Sequence, residues 1–569
     1  MSPSPSPAAT GLRRAYLLVL AMVAGAVVLM LEVLGTRVIG TYYGGSLYVW
    51  TSLLTVTLVC LALGYAIGGK LADRLPRPAG MYLLVVLAGL SVLLSPLLEG
   101  VLAPLDRALG LVGGALASAS ILFAVPLTLL AMTVPYVIRL RTSRLAGVGT
   151  ASGVVYALST VGSVAGVLVV SLWMVPQLGT RASLLVCSAT LIVAGAIGLV
   201  LSRGLRGAAA ILLACVPLGL WGQDPPAMPG QLYHTESAYG DLRVLQRTTP
   251  GGRPHRMLLM NGILQTGMPL DSQHLARGGM LESDSYYLEL LPYFHGDLGA
   301  GRKGILIGLA GGMFTRVMES YEIQWTAVEI DVKVAELAKA FFGYRGDLFL
   351  ASGQRLEVDL SRFGGHEASA APAPPGEADG SHAPGGPPYR GRAVLQDGRQ
   401  FLLNLPPGEQ VDFLVLDAYE SDTIPFHMLT REFFELARRR LKSDGILAIN
   451  FVGRPEGDFV TDSLLRTLTE VFGSDLVRAY GSLDPDRASE VQALTIFAFR
   501  HPMELIPQWP HRSEAGVDRL VFELEQRRLN VNRPHGRIIT DDYSPIDLAR
   551  AEVAMEWRRY TRARLAEMK

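Results

Sequence analysis

Lys303-Gly304-Ile305-Leu306-Ile307-Gly308-Leu309-Ala310-Gly311-Gly312 opens the stretch on which the fold turns, and Trp325-Thr326-Ala327-Val328-Glu329-Ile330-Asp331 closes it. The apolar run before Gly308 reads as a buried strand. A helix through about Tyr321 follows the glycines, and the second strand ends on an acid. Val334 to Phe342 then has the spacing of an amphipathic helix. Glycines at the first turn let the backbone come close to a ligand. An acid about twenty residues on, at the next strand end, can accept bonds from two ribose hydroxyls. Gly308, Gly311, Gly312, Glu329 and Asp331 are therefore candidate residues for holding a nucleoside-type ligand.

Working outward, the strand–helix alternation continues and predicts an α/β Rossmann-like domain over 300–500. Residues 363–391 are rich in Ala, Pro, Gly and Ser without periodicity, and read as a disordered surface insertion. Ala393-Val394-Leu395 resumes the pattern, followed by Asp397-Gly398. Val411 to Asp417 is another buried strand ending in an acid, and a helix over Leu429–Leu441 and a strand over Gly445–Phe451 come next. Ligands in such sheets bind beyond the carboxyl ends of the strands. Glu329, Asp397 and Asp417 all stand there, although acids at such ends also cap loops and helices. Upstream, Leu242–Gln246, Arg256–Met260 and Ile263–Gln265 read as short strands with turns at Pro250-Gly251-Gly252 and Asn261-Gly262. They predict a small β lobe over 230–295. Residues 501–569 read as a helical extension.

The first 222 residues are different in kind. They hold 13 Lys+Arg and 4 Asp+Glu, so the neutral total of 51 against 51 hides a basic half and an acidic half. Apolar runs near 15–39, 48–69, 81–104, 109–138, 148–175, 183–202 and 207–221 predict about seven membrane helices. A crossing needs roughly 20 residues. Abundant small residues, as in Gly162-Ser163-Val164-Ala165-Gly166, suit close helix contact. Arg13 and Arg14, Lys70 to Arg77, Arg139 to Arg144, and Arg203 with Arg206 mark alternate loops. The positive-inside rule then puts the N-terminus in the cytoplasm. The soluble half is expected on the same side if 207–221 does not cross. Glu32 and Arg37 near the end of the first helix read as an interfacial pair or a transport site. Gly69 to Arg74 resembles the G-x-L-A-D-R loop of major facilitator transporters. Cys60, Cys187 and Cys215 lie apart in apolar runs, which argues against disulfide or zinc spacing.

Several blocks of the soluble half occur in the order found in one family. They are Glu236-Ser237-Ala238-Tyr239, Asn261-Gly262-Ile263-Leu264-Gln265 and Tyr286-Tyr287-Leu288-Glu289-Leu290-Leu291. After these come Gly308 to Gly312, Val328-Glu329-Ile330-Asp331, Asp397-Gly398, Leu416-Asp417-Ala418-Tyr419 and Thr540-Asp541-Asp542-Tyr543-Ser544-Pro545. The set resembles the spermidine synthase family, the polyamine aminopropyltransferases, in a membrane-fused branch. The resemblance implies a methyltransferase-type Rossmann fold and a transferase. Its donor would be decarboxylated S-adenosylmethionine and its acceptor a diamine such as putrescine, with methylthioadenosine leaving. No prosthetic group or metal is expected. Asp417 would take the proton of the attacking amine. Tyr287, Tyr419, Glu420, Asp422 and Gln265 would contact the acceptor, Glu329 would hold the ribose, and Asp397 with Gly398 would face the adenine. The family's glycine loop carries an Asp for the donor's amine; Gly311 stands there.

That departure keeps a second reading open, an S-adenosylmethionine-dependent methyltransferase. A third is a non-enzymatic polyamine sensor or transport protein. The expected partners are small-molecule substrates and the lipid bilayer, with no nucleic acid, and the family suggests a homodimer.

Overall fold

The computed structural model describes residues 7–43, 47–98, 101–142, 147–203, 227–270, 287–297, 299–319, 321–363, 391–420, 422–505, 522–543 and 546–569. It divides into two compact units, Met1–Ala227 and Met228–Lys569.

In the first unit, α1 (Pro7–Tyr43), α2 (Leu47–Arg74), α3 (Pro78–Leu98) and α4 (Leu102–Arg141) are single helices, α4 being broken at Gly110. α5 (Val148–Val169) runs through one π-helical turn, Val170–Met174, into α6 (Val175–Arg203). Five helices rather than seven are therefore long and apolar enough to cross a membrane. The runs at 148–175 and 183–202 fuse into one helical stretch of 55 residues. The run at 207–221 lies outside the described residues. A straight helix of that length would be about 80 Å long, against a hydrocarbon core of about 30 Å. It is not straight: Gly179 has non-helical dihedrals. Neighbouring contacts show a reversal there. A Cβ on Gly162 would lie 2.1 Å from the Met22 carbonyl oxygen, and one on Gly166 2.7 Å from that of Ala26, so α5 runs parallel to α1. Tyr16 bonds the Ala194 carbonyl while Met30 meets Cys187, so α6 runs antiparallel to it. The small residues thus sit where two backbones touch. The G-x-L-A-D-R acid Asp73 is paired with Arg139 Nε at 3.0 Å.

In the second unit, β1 (Gln231–Glu236), β2 (Asp241–Thr248), β3 (Pro254–Met260) and β4 (Ile263–Pro269) form an antiparallel meander. Its β3–β4 turn is Asn261-Gly262, both at positive φ (51° and 76°). That conformation suits a two-residue hairpin, and Asn-Gly adopts it at low cost. The larger sheet has nine strands. They are β5 (Lys303–Ile307), β6 (Gln324–Glu329), β7 (Asp347–Leu350), β8 (Arg355–Leu356), β9 (Arg392–Leu395), β10 (Val411–Leu416), β11 (Leu441–Gly453), β12 (Val477–Gly481) and β13 (Gln492–Phe499). Their order is β12-β13-β11-β10-β5-β6-β9-β7-β8. The strands from β7 to β11 in space are parallel; β8 on one edge, and β13 followed by β12 on the other, are added by antiparallel pairing.

Helices α7 (Met313–Glu319), α8 (Val332–Phe341), α9 (Gly398–Asn404), α10 (Arg431–Arg440) and α11 (Phe459–Phe472) connect the strands. Two apolar clusters, one around Trp325 and Phe413 and one around Phe433 and Leu464, fill the layers on either side. The chain leaves β5 toward β6 on one side, and β10 lies on the other. That reversal opens a crevice at the ends of β5 and β10. A final helix, α12 (Ile546–Glu567), packs against β4, β11 and α11. The expected insertion at 363–391 lies, but for its end residues, outside the described residues.

Candidate active site

β5 ends at Ile307, and Gly308 turns the chain with φ 99°. A Cβ there would stand 2.2 Å from the Asp417 carbonyl oxygen, so the residue must be glycine for β5 and β10 to end side by side. The Asp417 amide donates to the Ile307 carbonyl at 2.9 Å, completing that junction. Asp417 Oδ1 accepts from Asn450 Nδ2 at 2.9 Å, and the Tyr419 hydroxyl donates to the Asn450 carbonyl at 3.0 Å. One residue of β11 thus holds both side chains that follow β10.

A cavity of about 260 Å³ opens at this junction. Gln265, Gly308, Asp417 and Tyr419, all read from sequence, are on its wall. The other predicted residues are not. Glu329 lies behind the glycine loop, where Oε2 accepts from the Leu309 amide at 3.0 Å and Oε1 from the Asp331 amide at 2.9 Å. Burial pushes its carboxyl up to about 7 despite these bonds. Asp331 caps α8, accepting from the Lys333 amide at 2.9 Å, and burial raises its pKa too. Asp397 caps α9 through the Gln400 amide at 2.9 Å, and its second oxygen meets His427 Nε2 at 3.1 Å. Burial opposes ionisation of Asp397, but His427 and the cap together hold its pKa below the usual range. Gly398 packs on Ile307 rather than facing a cavity, and Gly312 packs on Tyr344.

A second neighbourhood joins four of these acids. Tyr239 is 38% exposed; the burial of the rest of the side chain raises its hydroxyl pKa, and the charges of Asp331, Glu329, Asp397 and Glu420 add to that. Tyr239 therefore lies within electrostatic reach of four carboxylates, none of them on the cavity wall, whereas Asp417 lines the cavity.

Three expected acceptor contacts are placed elsewhere. The Tyr287 hydroxyl accepts from Arg527 at 2.9 Å, and its ring meets Tyr480 edge-on, away from the cavity wall. Glu420 is exposed, in a tight turn closed by its amide on the Thr423 carbonyl. Asp422 is buried in an ion pair with Arg558 of α12 at 3.0 Å, so its carboxylate serves that helix.

Gly311 departs from the family pattern for a steric reason. A Cβ there would lie 2.5 Å from Thr266 Cγ2 of β4, and the Phe342 ring is 3.1 Å away. The loop leaves no room for an acid at this position.

The sequence reading missed two walls of the cavity. The β lobe gives Thr249, His255 and Met257, and α12 gives Trp557, Tyr560, Thr561, Arg564 and Leu565, with Met568 one residue past its end. The α12 residues recur every three or four positions, which marks one helical face. That stripe was the available signal; the partner of the face was not written in it. Among the described residues, no group of three His, Cys, Asp or Glu side chains could hold a metal ion.

The parallel sheet, the glycine turn beneath its reversal point and the carboxylates at its strand ends define a methyltransferase-type Rossmann-like α/β domain. Within that class, the chain is similar in sequence to the spermidine synthase family, the polyamine aminopropyltransferases. It is 24% identical over 175 residues to a probable polyamine aminopropyl transferase of Bifidobacterium longum, covering 30% of this chain and 29% of that one. It is 23% identical over 168 residues to a polyamine aminopropyltransferase of Vibrio vulnificus, covering 28% and 54%. An N-terminal histidine N-methyltransferase of Emericella nidulans is 26% identical over 176 residues, covering 30% and 24%. The chain thus spans under a third of the first relative's length and about half of the Vibrio one. A probable spermidine synthase structure from Corynebacterium glutamicum superposes with a TM-score of 0.35 and 15% identity, covering 57% of this chain and 99% of that one. No family model matches the chain.

Proposed function

We propose that the soluble unit transfers the aminopropyl group of decarboxylated S-adenosylmethionine to an amine such as putrescine, at a membrane, releasing methylthioadenosine. The observation that carries this reading is the place of Asp417, a carboxylate on the cavity wall directly beside the Gly308 turn. The amine lone pair would attack the carbon next to the sulfonium. The C–S bond would break with its electron pair left on sulfur. The ammonium proton of the acceptor must leave first, because only the free amine is a nucleophile, and Asp417 is the group placed to take it. Glu329 would bind the ribose and Asp397 the adenine edge, in the neighbourhood of Tyr239. Gly308, Gly311, Gly312, Asp331 and Gly398 would set the shape of that pocket. Gln265 and Tyr419 would line the acceptor side. Tyr287, Glu420 and Asp422 would act on the surround, not on the substrate.

The test is methylthioadenosine release by the full chain with this donor and a panel of amines. Asp417→Asn is expected to slow release by about 10²–10⁴-fold, the usual share of a general base. Affinity for methylthioadenosine should hold within about threefold. Unchanged turnover in the variant would remove Asp417 from the chemistry and the reading with it.

Gly311 favours one second reading, methyl transfer from S-adenosylmethionine, since its position presents no acid to repel a carboxylated donor. Calorimetry with the two donors separates them. We also place the N-terminus and the soluble unit on the cytoplasmic side, where the basic loops around Arg74 and Arg139 point by the positive-inside rule.

A further inference from the structure

We infer that the acceptor is a primary amine bearing a long uncharged chain, which lies along α12 with its nitrogen at Asp417. This rests on the aminopropyl-transfer reading and departs from its example acceptor, placing a monoamine where putrescine, a diamine, stood. The cavity runs as a slot along α12 in this reading, because the two ends of the α12 wall are fixed by contacts. Arg558 of α12 bonds both Asp422 and the Asn261 carbonyl, so this part of the helix stands over the loop that carries Asp417. Trp557 is the first wall residue there. At the other end, Arg247 donates to the Leu565 carbonyl at 2.6 Å, and Thr248 exchanges two backbone bonds with Lys569. His255 pairs with Arg247 across β2 and β3, and it lines the cavity together with Thr249 and Met568. From Trp557 to Leu565 the helix advances by about 12 Å, and Met568 follows beyond its end. A four-carbon diamine would fill only part of that length.

The larger part of the wall is apolar. Met257, Leu264, Phe314, Leu483, Trp557 and Leu565 are on it. Arg564, exposed to solvent on the same wall, adds a positive charge. A second ammonium along the chain would lose its hydration against apolar side chains and meet that guanidinium. A hydrocarbon chain would gain from the same wall. His255 is 2% exposed and shares the far end with Thr249 and Met568. Among the described wall residues Asp417 is the one carboxylate, so the far end offers no counter-charge to a second ammonium and suits a neutral chain terminus or a hydroxyl.

The experiment measures kcat/KM for methylthioadenosine release by the full chain with butylamine, hexylamine, octylamine and putrescine. The expected result is a rise of about fourfold per added methylene, the value of a buried CH₂, with octylamine well above putrescine. Putrescine exceeding every monoamine would overturn the inference and leave the transfer reading standing. No release with any amine would instead overturn the transfer reading on which the inference rests. Met568→Trp, which shortens the slot, should lower the octylamine-to-butylamine ratio at least about tenfold. An unchanged ratio would show that the chain does not reach that end, and would overturn the placement along α12.

Discussion

Glu329 carries a consequence for ligand binding that follows from its surroundings. Its carboxyl is raised to about 7, first by burial, so a large fraction is protonated at neutral pH. Ribose hydroxyls donate to the ionised form. Affinity for methylthioadenosine should therefore rise up to about tenfold per pH unit up to about pH 7 and level off above it. Calorimetry from about pH 5.5 to 8 reads this slope, and Glu329→Gln should flatten it. For the unliganded chain the sign reverses. A carboxyl whose folded pKa exceeds its unfolded one takes up a proton on folding, so its contribution to stability declines as pH rises from about 4.5 to about 7. At this scale the sequence was legible in position but not in role. Asp331 and Asp397 stand at the predicted strand ends, yet each caps a helix. A ligand contact and a cap ask for the same acid at the same place, so spacing alone does not separate them.

Two elements beside the site, β4 and α12, each make a contact that mutation can isolate. Gly311→Ala should destabilise the soluble unit by about 1–3 kcal/mol, the usual range for overpacking. The clash is with Thr266 Cγ2, so adding Thr266→Ser should recover part of the loss in a thermal melt. No recovery would mean that Phe342, not β4, sets the limit. The Asp422–Arg558 pair is buried on both sides. Asp422→Ala leaves a guanidinium without its partner, and a loss of about 3–5 kcal/mol is expected. Asp422→Ala combined with Arg558→Met should cost less than the single change. The β lobe was legible because Asn261-Gly262 between apolar strands dictates a hairpin. The role of α12 was hidden because a periodic face states that a helix is covered and not by what.

On the scale of the whole chain, composition alone separated an apolar basic half from an acidic α/β half, and the two compact units divide near that change. The number of helices was less legible. Hydropathy counts apolar runs, and it does not see that Val148–Ser202 is one helical stretch folded back at Gly179. That reversal bears on orientation. A cysteine introduced at Thr142, after α4, should react with an impermeant thiol reagent only from the cytoplasmic side, as the basic residues before it predict. Labelling from outside intact cells would invert the topology proposed for the chain.

The ion pair between Asp422 and Arg558 joins residues 136 positions apart. On a ribosome, the sheet and its carboxylate-edged crevice can form while the helix that roofs them is still unmade. Until residues 546–567 emerge, the slot is a water-filled furrow, and a ribosome-bound or prematurely terminated chain would display Met257, Leu264 and Phe314 to any chaperone that recognises greasy surface.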